Sequence, residues 1–164
     1  MLCTLTRRRG SATPQIKFLA GSSMHRVVVG VLRGGPSSEY EVSLNTGASV
    51  LEHLDRTKYD PRDLFVDRKG EWHLHGISVK PEKALRGVEV VFNAMHGEYG
   101  EDGTVQRLLD TFNVPYTGSG SLPSAIAFNK QRTKEIVVPL GVRVAQGILI
   151  EPSHDLNRRI HEIF

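Results

Sequence analysis

Arg26-Val27-Val28-Val29-Gly30-Val31-Leu32-Arg33-Gly34-Gly35-Pro36-Ser37-Ser38-Glu39 sets the frame for the rest of the chain. Residues 26–32 are apolar and largely β-branched, with no alternation. That is the pattern of a strand buried on both faces, at the centre of a parallel sheet. A Gly-Gly-Pro turn follows. Ser37 or Ser38 then offers a cap, and Glu39 and Glu41 fall in a first helical turn, where the helix dipole favours acids. The helix is predicted to run to about Asp55 and to bury Leu44, Ala48, Leu51 and Leu54.

The same order recurs later. Val88 to Met95 is apolar except for Glu89 and Asn93, and is predicted to be a second buried strand. His96-Gly97-Glu98-Tyr99-Gly100-Glu101-Asp102 leads from it into a predicted helix, Gly103 to Phe112, patterned by Val105, Leu108, Leu109 and Phe112. Between these units lie a strand Asp63 to Val66, a turn at Lys69-Gly70, a return strand Glu71 to Leu74 and a brief helix Pro81 to Leu85. After them come a short strand Val114 to Thr117 and helices Leu122 to Asn129 and Lys130 to Leu140. Val142 to Ile150 begins something new, and Pro152 opens a further helix. Strand, helix, strand, helix means βαβ units with right-handed crossovers: an α/β fold with a mostly parallel sheet.

Apolar residues make up 39% and charged residues 24% of the 164, ordinary for a globular domain with its own core. No apolar run is long enough to span a bilayer. A single cysteine, Cys3, excludes a disulfide framework within the chain and fits a reducing compartment. Arg7, Arg8, Arg9 and Lys17 are the charges of residues 1–24, so a chain of net charge +3 leaves −1 for the rest. Charge therefore gives no support to a nucleic-acid partner. Residues 1–24 suit either a transit peptide or an upstream start with Met24 as the initiator. The second is preferred because a strand begins directly afterwards, and the segment is expected to be loosely attached.

Loops leaving the carboxyl ends of strands are where open α/β sheets place ligands. The Gly34-Gly35 loop lacks both the Gly-Lys-Ser/Thr of a P-loop and the G-x-G-x-x-G spacing, so by motif alone it is a tight turn with a capped helix. Its amides and the helix dipole nonetheless suit an anion. Glu39 is either a dipole-stabilising surface acid, the commoner case, or a ligand for an ammonium group. His96 either bonds a carboxylate or phosphoryl oxygen or satisfies loop carbonyls. Glu98, Glu101 and Asp102 lack the spacing of a calcium loop, and Asp102 suits a helix cap. His73 and His75 would share a strand face, but with no third ligand a solvated hairpin edge around Trp72 is expected.

Taken together, three stretches resemble a known family. Gly34-Gly35-Pro36-Ser37-Ser38-Glu39-Tyr40-Glu41-Val42-Ser43-Leu44 resembles the opening motif of the D-alanine–D-alanine ligases. His96 to Gln106 resembles their second motif. Pro115 to Gly120, with Ser124-Ala125, Lys130 and Thr133-Lys134, resembles the third. The resemblance runs from Arg26 to the end and leaves out residues 1–24.

The resemblance implies a Rossmann-like, three-layer pre-ATP-grasp domain over residues 25–140. Residues 141–164 would be a linker and the start of an ATP-grasp subdomain, and 1–24 an extension. It implies a cytoplasmic, homodimeric enzyme with no membrane or nucleic-acid partner. That enzyme uses ATP and Mg2+ to convert one D-alanine into an acyl phosphate, which a second D-alanine attacks to give the dipeptide of peptidoglycan. It makes Glu39 and His96 catalytic, Glu39 holding the first ammonium group. Gly35, Ser37, Ser38 and Val42 would line the substrate site, and Lys130 would reach the nucleotide phosphates. No metal ligand falls in this stretch. Asn129 stands where the family usually has an aspartate. The chain is expected to be C-terminally truncated at Phe164 and inactive alone, the second D-alanine site and the main ATP and Mg2+ groups lying beyond it. A stand-alone module that binds a D-amino acid without catalysis is the alternative.

Overall fold

A computed structural model describes residues 25–147 and 149. Residues 1–24 and the helix expected from Pro152 lie outside the described residues. The elements are β1 (Val27–Gly34), α1 (Tyr40–His53), β2 (Tyr59–Val66), β3 (Trp72–Leu74) and β4 (Ile77–Val79). They continue as α2 (Pro81–Ala84), β5 (Val90–Asn93), α3 (Thr104–Thr111), α4 (Ser121–Phe128) and α5 (Lys130–Val137). Among the described residues, no helix is long and apolar enough to cross a membrane.

The sheet order is β4-β3-β2-β1-β5. β1 pairs in parallel with both β2 and β5, so it occupies the interior position that its unbroken apolar run requires. β3 and β4 add an antiparallel hairpin, which makes the sheet mixed but mostly parallel. Alternation along β1 separates two cores. Val29 and Val31 face α1 and meet its Val50 and Leu51 and the following Leu54. Leu32, with Leu64 and Val66 of β2, faces the side that holds Ala84 of α2 and Val105 and Leu109 of α3. The result is helix, sheet, helix: the three layers expected.

The differences from expectation have local causes. β1 runs two residues further, because Arg33 and Gly34 stay in register with Phe65 and Val66. The Arg33 guanidinium makes two bonds of 2.7 Å to the Asp63 carboxylate on the neighbouring strand, and that contact, first among the causes, raises its pKa further. α1 does not bury Ala48, which is exposed; its fully buried positions are Ser43 and Gly47. A Cβ at Gly47 would lie 2.6 Å from the Arg33 side chain, so the closest approach of helix to strand requires the smallest residue. Trp72 is not at a solvated edge. It pairs opposite Val66, faces the larger core and is 2% exposed. β4 was not anticipated; a turn with His75 at φ 50° and Gly76 at φ 79° connects it to β3. Val114 to Thr117 contributes one parallel bridge, Val91 to Tyr116, rather than a strand.

Residues up to Ala125 form one compact unit, and those from Ile126 a second. In the second, α5 is capped by Asn129, whose Oδ1 accepts from the Arg132 amide at 3.0 Å. Residues 142–147 have no regular structure.

At the start of α3, Gly103 is the N-cap residue, and Asp102 one position earlier accepts from the Thr104 amide at 2.8 Å. Burial pushes the Asp102 carboxyl up, but the Thr104 amide and hydroxyl, the Tyr99 backbone and Arg107 outweigh it and hold the group below its ordinary value. A carboxyl lowered by folding stabilises above its unfolded pKa and loses that contribution as pH falls through the folded value. Asp102→Asn keeps the acceptor and removes the charge. In urea unfolding at stepped pH, the variant is expected to lose stability less steeply than the parent below about pH 4. Identical slopes would show that Asp102 contributes nothing to the decline.

Candidate functional site

β1 and β5 are parallel neighbours, with Leu32 opposite Asn93, so the loops that leave them emerge side by side at one sheet edge. Two serines join these loops. Ser43, fully buried in α1, accepts from the Gly34 amide at 2.8 Å and donates to the Ala94 carbonyl at 3.0 Å. Ser37 accepts from the Glu39 amide at 2.9 Å and donates to the His96 carbonyl at 2.7 Å. Neither Ser37 nor Ser38, the expected caps, caps α1 with its side chain. The N-cap position is Glu39, which has no side-chain cap bond, and Ser37 instead closes the turn before it.

The loops touch at Gly97. Its φ is 71°, and a Cβ there would stand 3.0 Å from Ser37 Oγ and 3.4 Å from Glu39 Oε1. The Glu39 carboxylate therefore lies against the residue that follows His96, so the two anticipated residues are brought close where the loops meet. The imidazole has a polar neighbour on each side. Thr46 Oγ1 is 3.0 Å from Nε2, and Glu101 Oε1 is 3.6 Å from Nδ1. Glu101 also accepts from the Gly97 amide at 3.1 Å, which tightens the turn beneath the ring. On the far side of this loop, the Tyr99 hydroxyl accepts from Trp72 Nε1 at 3.2 Å.

The amides at the first loop divide. Gly34 donates to Ser43, Gly35 donates to the Val66 carbonyl at 2.8 Å, and Pro36 has no N–H. The amides of Ser37 and Ser38 carry no bond among the described residues, so the open donors of this loop are these two and not that of Gly35. Gly35 has φ 100°, and a Cβ there would lie 3.6 Å from the Met95 side chain. Val42 is exposed on the first turn of α1. Lys130 is exposed at the start of α5 in the second unit.

The loop acids do not gather as metal ligands. Glu101 faces His96 and Gly97, Asp102 serves Thr104, and Glu98 is exposed. Among the described residues, one group could approach a cation: Asp67, Glu71 and His73 at the β2–β3 turn. Asp67 there accepts from the Lys69 and Glu71 amides and lies 3.2 Å from His73 Nε2. The Glu71 amide leads the contacts that lower its pKa, the signature of a carboxylate holding a turn. His75 sits in the turn after β3, so His73 and His75 do not form a pair on one strand face.

Sequence reasoning missed Ser43 and Thr46. Their signal was present: with Gly47 they form a stripe of small and polar residues at helical spacing, on a helix read only for its leucines and alanines.

The profile described as "D-ala D-ala ligase N-terminus" matches residues 28–86 and 74–119. A D-alanine–D-alanine ligase of Clostridium botulinum is 35% identical over 129 residues, which is 79% of this chain and 40% of that protein. The solved D-alanine–D-alanine ligase of Coxiella burnetii superposes with a TM-score of 0.72 at 25% identity, covering 85% of this chain and 49% of that one. The Bacillus anthracis ligase, solved in complex with ATP, gives 0.67 at 29% identity, over 85% of this chain and 43% of the other. The chain thus spans about 40% of the length of the curated relatives it matches.

Gly97→Ala combines a strained positive φ with a Cβ pressed on Ser37 and Glu39. It is expected to cost about 1–3 kcal/mol, measured by urea unfolding, and to move the amide resonances of both loops. Shifts confined to residues 96–101 would show that the loops are not in contact there.

Proposed function

The chain belongs to the D-alanine–D-alanine ligase family, whose N-terminal domain it contains, and from that premise we propose that the crevice between its two loops holds the first D-alanine. The observation that carries this reading is the meeting of the two loops at Gly97, where a Cβ would stand 3.0 Å from Ser37 Oγ and 3.4 Å from Glu39 Oε1, directly after His96. In this reading the Glu39 carboxylate takes the ammonium group. The Ser37 and Ser38 amides, at the positive end of α1, take the carboxylate and stabilise charge as it grows on the acyl phosphate. His96 stands beside the reacting carboxyl group.

ATP, when bound, supplies the phosphoryl group, and Lys130 is the residue of this chain proposed to approach its phosphates. The acids of the second loop are engaged in holding His96, Gly97 and α3, so no Mg2+ role is derived for them. We read residues 25–140 as the substrate domain and 141–164 as the beginning of the nucleotide-binding portion. In the whole protein the product would be the D-alanyl-D-alanine of peptidoglycan, made in the cytoplasm. The 164 residues alone are expected to bind D-alanine weakly and to turn nothing over, because phosphoryl transfer depends on positioning and metal-centred charge.

The test is an amide NMR titration of the 164-residue chain with D- and L-alanine. D-alanine is expected to shift Ser38, Glu39, His96 and Gly97 in the millimolar range, and L-alanine to have little effect. Glu39→Gln removes a charge-assisted bond of about 1.5–3 kcal/mol, so D-alanine binding should weaken roughly 10- to 100-fold, with the fold intact. Equal responses to both enantiomers, or a Glu39→Gln chain that binds as well as the parent, would refute the assignment.

A further inference from the structure

We propose that Thr46 is a positioning residue for His96: it fixes the imidazole tautomer so that the ring meets the first substrate as an Nδ1–H donor. This rests on the placing of His96 beside the reacting carboxyl group.

A neutral imidazole has one donor nitrogen and one acceptor nitrogen, and its neighbours decide which is which. On the Nδ1 side stands Glu101, whose ionised carboxylate only accepts. On the Nε2 side stands the Thr46 hydroxyl, which can donate, at 3.0 Å. The arrangement that satisfies both has the proton on Nδ1 and the Nε2 lone pair accepting from Thr46.

Thr46 is free to act in this way because of where its hydroxyl goes. A threonine inside a helix readily returns its hydroxyl to the carbonyl one turn back. Thr111 in α3 does so, donating to the Arg107 carbonyl at 2.9 Å. The Thr46 hydroxyl has its bond to His96 instead. The other end of the same residue is also held by the first loop, since Ser37 donates to the His96 carbonyl. Backbone and ring of His96 are thus both set by the segment from Ser37 to Thr46.

The two contacts to the ring are unequal. Thr46 is at hydrogen-bond distance, whereas 3.6 Å between Glu101 and Nδ1 is too long for a closed bond. The Nδ1 proton lies in the field of an acid but is not taken up by it. A carboxyl or phosphoryl oxygen entering the crevice can accept that proton without displacing a formed bond. The Glu39 carboxylate lies against Gly97, the residue after His96.

The experiment is a long-range proton–nitrogen NMR correlation on the 15N-histidine-labelled chain. It is recorded at about pH 8.5, well above the free imidazole value of about 6.5, with His96→Gln to assign the signal. The parent chain is expected to show His96 protonated on Nδ1, and Thr46→Ser to preserve that state. In Thr46→Val the ratio of Nδ1–H to Nε2–H should fall about five- to tenfold, the ratio that one ordinary hydrogen bond controls. The amide spectrum reports whether Thr46→Val is folded; the parent and the serine variant decide the assignment without it. An Nε2–H ring in the parent, or a serine variant with the opposite tautomer, overturns the proposal. So does a folded valine variant with an unchanged ratio, which would give the control to Glu101 alone. No ligand enters this measurement. A correct tautomer beside a failed D-alanine titration would leave the control by Thr46 standing and remove the proposed substrate; the reverse would remove only the control by Thr46.

Discussion

One hydroxyl group joins the two halves of the crevice. Ser43 Oγ lies, fully buried, between the amide that ends β1 and the carbonyl that follows β5. Both of those backbone groups sit where sheet pairing stops and loop begins, and neither has water to turn to. A buried backbone group left without a partner costs about 1–3 kcal/mol, and Ser43 satisfies two. It also fixes a distance. The loops that carry Glu39 and His96 can face one another because their roots are tied to the same atom.

The rest of the first unit serves that tie. α1 must approach β1 closely enough for Ser43 to reach into the sheet, and Gly47 allows it by leaving room for the Arg33 stem. Arg33 is in turn held flat by Asp63 on the adjacent strand. On the opposite face, Leu32, Leu64, Val105 and Leu109 form the packed layer against which β1 and α3 are set. The second loop thus leaves a rigid strand and enters a rigid helix. Its own conformation, with Gly97 and Tyr99 at positive φ, is kept by Ser37, Glu101 and Trp72. Rigid elements at both roots and a few specific bonds in the loops are what a site needs if it is to hold small charged groups in register.

Much of this was legible in the residues. The unbroken run at Val27 to Leu32 identified the interior strand, and the recurrence of strand, glycine loop and helix identified the two loops, carrying Glu39 and His96, that meet at Gly97. The burial of α1 was legible in part: Leu51 and Leu54 pack on the smaller core, but Ala48 is exposed, and apolar spacing does not mark the closest approach, where Ser43 and Gly47 stand. Trp72 was misplaced because its burial depends on pairing with Val66, a register that three residues of strand do not announce. β4 was missed for a similar reason: Ile77 to Val79 is short, and a His-Gly turn lacks the Asn-Gly or Asp-Gly signal of a tight hairpin. The partition of amides, with Gly35 bonded to Val66 and Ser37 and Ser38 left open, followed from the extra length of β1 and could be seen only with the strands in register.

The central claim is that Ser43 couples the two loops. It is tested most directly by amide hydrogen exchange on Ser43→Ala. Loss of the tie should speed exchange at Gly34 by about tenfold or more. The Gly97 and Glu101 amides, which bond only within the second loop, should accelerate with it, while the Leu64 and Val66 amides of β2 stay protected. Faster exchange at Gly34 with the amides of residues 97–101 unchanged would contradict the account, because the two loops would then be held in place independently.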